Sequence, residues 1–373
     1  MGCIGAWLLA WMWGCTPETA VGAEAWRSST DTVQTQPPTE EPDPLDPTTD
    51  DTPSTPSTPS TSTSSTGTTA LECFGDFVHP QVPSPDYDQF GPVIGSHCSG
   101  TNHQNISGVQ RVVFLGDSIT VGTPPTPAMD YYRNQLAHEL ASRFGLQPPD
   151  SLWEVVDLIN GTTLVQRSGD FWSCAEWGAR ADDLIRDGTQ IDDCFPPEER
   201  DRTTLVIMTV GGNDLAALQE DLVAGVPIDE LWTDVESFMG LIRDAVTYLQ
   251  DPVAFPGGNF VIMANLYEFT DGTGILSSCP GAALLGYSDS PDPELFEMVA
   301  WAMEEYVSIS VDHQTDVLFL LEAFCGHGYM RDDPTSPCYQ GPGAELWFDL
   351  TCIHPNPAGH TAIAELFRDV ILE

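Results

Sequence analysis

Val109-Gln110-Arg111-Val112-Val113-Phe114-Leu115-Gly116-Asp117-Ser118-Ile119-Thr120 is the stretch from which the architecture can be read. Its apolar residues run on without the in-out alternation of a half-solvated strand, as in a strand buried on both faces. The run ends at a glycine and two polar residues, which is turn chemistry. Similar apolar runs follow at Trp153 to Ile159, Thr204 to Val210, Asn259 to Leu266 and Val317 to Phe324. Helix-period segments lie among them, at Ala128 to Phe144, Asp229 to Leu249, Pro293 to Val311 and Ala358 to Ile371. In the second of these, Leu231, Val235, Phe238, Leu241, Ile242 and Ala245 form a core-facing stripe. This alternation predicts an α/β domain over residues 71–373 with a mostly parallel sheet covered on both faces. Such sheets bind ligands at the carboxyl ends of their strands.

Three strand ends carry candidate chemistry. Gly116-Asp117-Ser118 delivers a serine into a tight turn, which exposes a hydroxyl as a nucleophile. Asp and Ser are also favoured helix caps, so the tripeptide alone decides nothing. Val210-Gly211-Gly212-Asn213-Asp214 pairs two glycines with an amide that can donate to a developing oxyanion. Asp349-Leu350-Thr351-Cys352-Ile353-His354-Pro355-Asn356 places an imidazole just before the last helix, where it could serve as a general base.

Taken together and in this order, the three motifs resemble the SGNH (GDSL-type) hydrolase family over most of residues 109–373. Gly178, in Trp177-Gly178-Ala179-Arg180, looks like the glycine of the family's second block. The resemblance implies a flavodoxin-like three-layer α/β/α sandwich and an esterase or lipase that cleaves carboxylic esters without a cofactor. It also implies Ser118 as nucleophile, His354 as base, and an oxyanion hole made of the Ser118 and Gly178 N–H groups and the Asn213 side chain. One position departs from the pattern. The family's acid stands three residues before the histidine, where this chain has Thr351, and Asp349 lies five before. Either Asp349 orients His354 through an altered loop, or a backbone carbonyl does so and leaves a Ser-His dyad. A polysaccharide O-deacetylase or acyltransferase could use the same site, and a non-catalytic surface binding protein could carry it as a relic.

The rest of the chain bears on location and partners. Residues 1–15 hold a short apolar run ending at Gly14-Cys15, too short to span a bilayer. It resembles a bacterial lipoprotein signal, in which a lipid on Cys15 would be the link to a membrane. Residues 16–70 are rich in Thr, Pro, Ser and acids, with the repeat Thr52-Pro53-Ser54-Thr55-Pro56-Ser57, and read as a disordered acidic linker. The expected product is an exported protein, either a cell-envelope lipoprotein or a secreted one. The chain has 56 acidic residues against 12 basic ones, all of them Arg, for a net charge of −44. That balance argues against nucleic acid as a partner, and the family resemblance implies a small-molecule or glycan ester as the substrate. Apart from Cys3 and Cys15, eight cysteines remain, which in an exported chain read as disulfides that staple loop insertions. Nearest-neighbour pairing would join 73–98, 174–194, 279–325 and 338–352. A metal site at Cys325-Gly326-His327 with Asp332 or Asp333 lacks paired zinc-ligand spacing.

Overall fold

The computed structural model describes residues 68–75, 83–185, 189–282, 289 and 293–373. The expected signal segment and nearly all of the expected linker lie outside these residues. A six-stranded sheet forms the centre, built from β1 (Arg111–Gly116), β2 (Arg167–Ser168), β3 (Phe171–Ser173), β4 (Thr204–Thr209), β5 (Asn259–Ala264) and β6 (Asp316–Leu318). The order is β2-β3-β1-β4-β5-β6, and every pairing is parallel except β2 with β3. The five parallel strands therefore run 2-1-3-4-5 in chain order, the flavodoxin-like arrangement that the family resemblance implies. The chain reverses its direction of travel across the sheet between β1 and β4, and that is where a ligand crevice opens.

Both faces of the sheet are covered, which explains the unbroken apolar runs. Val113, Leu115, Val206, Met208, Val261 and Met263 face a core shared with the helices Ile228–Leu249 and Pro293–His313. Their neighbours Val112, Phe114, Leu205, Ile207, Ile262 and Ala264 face a second core, shared with the helices Tyr132–Phe144 and Pro357–Leu372. The outer edge of β6 is capped by the arm before β1, where Thr101 N donates to the Val317 carbonyl at 3.0 Å. Cys73–Cys98 ties that arm to itself.

Three sequence expectations change. Trp153 to Ile159 is not a sheet strand: Asp150 caps a short helix, Ser151–Glu154, and Val156–Asp157 pairs only with Thr162–Thr163. Trp153 is fully buried, whereas Ile159 is 75% exposed, so this run spreads its apolar residues over two environments instead of burying them together. The strand beside β1 is instead Phe171–Ser173. Val317 to Phe324 divides into the end of β6 and a short helix, Leu320–Phe324. Two of the four pairings expected between sequence neighbours also fail: Cys279 joins Cys352 and Cys325 joins Cys338, while 73–98 and 174–194 form as expected. Because Cys325 is in a disulfide, it cannot supply a metal-ligating thiolate.

Candidate active site

The serine is placed by steric constraints on the backbone. Gly116 ends β1 at φ +122°, and a Cβ there would stand 1.7 Å from the Thr209 carbonyl oxygen of β4. Only a missing side chain lets the two strand ends approach this closely. Gln190 clamps the same glycine, donating to its carbonyl at 2.9 Å and accepting its N–H at 2.7 Å. Asp117 then accepts from Ile119 N at 3.0 Å and from Thr209 Oγ1 at 3.1 Å, starting the single helical turn Ser118–Val121. Burial pushes the Asp117 carboxyl up to about 7. Beneath the turn, the fully buried Arg133 donates to the carbonyls of Thr120, Val121, Trp153 and Glu154.

The turn presents Ser118 Oγ 2.9 Å from His354 Nε2. His354 is buried, and burial lowers its imidazole to about 4, so the ring is neutral at neutral pH and can accept a proton. The ring's other nitrogen, Nδ1, lies 2.8 Å from Thr351 Oγ1. Thr351 in turn donates to Asp349 Oδ1 at 2.5 Å from its hydroxyl and 2.8 Å from its N–H. Neither orientation considered from the sequence is the one observed: the group on Nδ1 is neither the Asp349 carboxylate nor a backbone carbonyl, but a threonine hydroxyl that Asp349 holds. Burial raises the Asp349 carboxyl to about 6.

The loop bearing these groups closes on itself. Asp349 N donates to the His354 carbonyl at 2.9 Å, and Phe348 and Pro355 form an antiparallel bridge. Tyr329 and Tyr267 donate their hydroxyls to the Asp349 and Ile353 carbonyls at 2.5 and 2.8 Å. Cys352, at φ +75°, carries the disulfide to Cys279.

Asn213 enters from the far side of the switch point, near the start of the helix Gly212–Ala224. Its side-chain amide donates one hydrogen to the Ala179 carbonyl at 2.8 Å, leaving the other for a ligand. Ala181 N donates to the Asp214 carboxylate at 3.1 Å, so the loop carrying Gly178 is fastened to the Asn213 helix at two points. Ser118, Asn213 and His354 line one cavity of about 110 Å³, together with Asp117, Tyr267 and Ile353. Gly178, at φ +79°, borders the site through Ala179 and does not line that cavity. Trp172 and Trp177 do not line it either: Trp172 packs against Arg111 and Arg167, and Trp177 Nε1 donates to the Gly122 carbonyl at 3.0 Å.

Residues 114–362 match the model of the GDSL-like lipase/acylhydrolase family, covering well over half of the chain. The chain belongs to that family. No curated protein matches it. Among similar solved structures is a catalytic mutant of an acetylxylan esterase from Geobacillus stearothermophilus, at 16% identity over 72% of this chain and 98% of that one, with a TM-score of 0.41. Another is a lipase from a goat rumen metagenome, at 13% identity over 70% and 97%, with a TM-score of 0.43. A third is a member of the lipolytic G-D-S-L family from Veillonella parvula, at 13% identity over 70% and 98%, with a TM-score of 0.34.

Within this GDSL-family chain, the sequence marks Thr351 only as a departure from the family's acid and does not mark Gln190 or Arg133 at all. The role of the Thr351 hydroxyl could have been read from that position, since a hydroxyl there can relay the hold of Asp349 on the ring. Gln190 and Arg133 act on backbone groups brought close only by folding, and no local pattern marks them.

Proposed function

We propose that the protein is an exported carboxylic ester hydrolase working through an acyl-enzyme. In this reading Ser118 Oγ attacks the ester carbonyl and its proton passes to His354 Nε2. The N–H groups of Ser118 and Gly178 and the free amide hydrogen of Asn213 hold the tetrahedral oxyanion. Collapse of that intermediate breaks the acyl–oxygen bond, and His354 returns the proton to the departing alcohol. Water, deprotonated by His354, then releases the acid and frees Ser118. The observation that carries the reading is the 2.9 Å contact between a serine hydroxyl and a neutral, buried imidazole at the switch point of the sheet.

The surroundings favour an ester with an apolar group. The cavity at Ser118 shares Leu266, Tyr267, Phe269 and Ile353 with an adjoining recess of about 200 Å³, extended by Leu215, Phe296 and Val299. Such walls desolvate an acyl chain more readily than a free sugar ring. Four disulfides support an oxidising, exported location. Among the described residues, no helix is long and apolar enough to cross a membrane.

The test compares p-nitrophenyl acetate, longer p-nitrophenyl esters and acetylated sugars on the wild-type protein and on Ser118→Ala. Turnover rising with acyl length, and lost by about 10³-fold or more in Ser118→Ala, is expected. Undiminished hydrolysis by Ser118→Ala would exclude the mechanism, and a preference for acetylated sugars would move the substrate to glycans.

A further inference from the structure

We propose that Thr351 is a positioning residue for His354: its hydroxyl gives its single hydrogen to Asp349, can then only accept at Nδ1, and so holds the imidazole in the tautomer that leaves Nε2 free for the Ser118 proton. The inference rests on the reading of Ser118 and His354 as nucleophile and base.

The argument is one of hydrogen counting. A hydroxyl has one hydrogen to donate. Asp349 Oδ1, ionised, can only accept, and it lies 2.5 Å from Thr351 Oγ1. The Thr351 hydrogen is therefore committed to the carboxylate, and the lone pairs of the same oxygen face Nδ1 at 2.8 Å. That contact is a hydrogen bond only if Nδ1 carries the ring proton. The proton on Nδ1 in turn leaves Nε2 bare toward Ser118 Oγ at 2.9 Å. A carboxylate bonded directly to Nδ1 would impose the same tautomer. Here the acid acts one hydroxyl further away, which is how a chain with Thr351 at the family's acid position keeps an oriented base.

Asp349 is ionised at neutral pH, because its carboxyl titrates near 6. Tyr131, Tyr267 and Tyr329 lie within electrostatic reach of it, and burial raises the proton affinity of each hydroxyl, so they remain neutral; the Tyr329 and Tyr267 hydroxyls donate to the Asp349 and Ile353 backbone carbonyls. His360, close to His354, is held neutral by burial that lowers it to about 3.

The test is nitrogen-15 NMR of the His354 ring at pH 7.5, with kinetics on the same samples. In the wild-type protein Nδ1 is expected to carry the proton. Thr351→Val, which removes the acceptor, is expected to shift the ring toward the Nε2–H tautomer. Its kcat should fall about 10²-fold, with KM within about twofold. Thr351→Ser, which keeps the hydroxyl, should retain the wild-type tautomer and at least about a third of kcat. Asp349→Asn can offer an amide hydrogen to Thr351 and should behave like Thr351→Val. A Thr351→Val protein with the wild-type tautomer and more than half of kcat would overturn the proposal. So would a folded Thr351→Ser protein as slow as Thr351→Val. If Thr351→Val does not fold, Asp349→Asn and Thr351→Ser decide by the same two readouts. Loss of turnover in Ser118→Ala together with indifference to Thr351→Val would sink this inference alone, whereas indifference to Ser118→Ala would sink the reading beneath it.

Discussion

Ser118 and His354 meet at 2.9 Å, yet the two sides of that contact are held by different means. The serine side is fixed by the sheet: Gly116 is wedged against Thr209, Gln190 clamps its peptide groups, and Asp117 caps the turn that follows. The histidine side has no strand beneath it. Its loop depends on a disulfide to Cys279, two tyrosine hydroxyls and the Asp349–Thr351 hydrogen bond. A nucleophile set by strand geometry tolerates little change at its base. A base set by side chains can be loosened by degrees.

The contrast is sharpest at Gly116. Gly116→Ala places a Cβ 1.7 Å from a strand carbonyl, and neither strand can move without breaking the centre of the sheet. A destabilisation of about 4 kcal/mol or more is expected, seen as loss of soluble protein or a collapse of Tm. A variant that melts within a few degrees of wild type would mean that the serine side is as pliable as the other.

On the histidine side, Cys279→Ser with Cys352→Ser opens a link spanning 73 residues. Stability should fall by about 2–4 kcal/mol, and kcat by about tenfold, as His354 spends less time in register. The sheet and fluorophosphonate reactivity at Ser118 should survive, though labelling slows. Equal kcat in the double variant would show that the tyrosines and Asp349 suffice to hold the loop.

The smallest effect expected is that of pH. Asp117, Asp349 and Asp214, raised by burial to about 7, 6 and 6, bind protons more tightly folded than unfolded. Their stabilisation is complete only below the ordinary carboxylate range and is lost as pH rises through 6 to 7. His354 and His360, lowered to about 4 and 3, act oppositely and subtract stability as pH falls below the ordinary histidine value. Lowering the buffer from pH 8 to pH 6.5 should therefore leave Tm nearly unchanged: the three carboxyls together gain about 1 kcal/mol, and the two histidines, already at their ordinary titration range, lose almost as much. Turnover should fall as Asp349 protonates near 6, since its own hydrogen can then go to Thr351. Turnover that stays level from pH 8 down to about 5.5 would remove Asp349 from the account of the base.

The sequence made the serine side easy to read and the histidine side hard, for the same physical reason. Strands buried on both faces are continuously apolar, so β1, β4 and β5 announced themselves and their ends led to Ser118 and Asn213. β3 did not, because Phe171–Ser173 is three residues long and the more apolar Trp153 to Ile159 outweighed it. His354 was visible as a residue, but its orientation depends on where the Thr351 hydroxyl points and on how Asp349 curls beneath it. Cys352 paired with Cys279 and not with its chain neighbour because folding sets its loop beside residues 279–282, where Gly281 lies close to the Leu350 carbonyl. Spacing along the chain carries no record of such contacts.

Arg133 gives the lysine-free composition a structural meaning at one position. Its planar guanidinium reaches four carbonyls in two separate segments, a fan of acceptors that a single ammonium on a flexible stem cannot match in direction. The floor under the nucleophile thus depends on a forked cation, and swapping it for the other common basic side chain would keep the charge while stranding oxygens away from water.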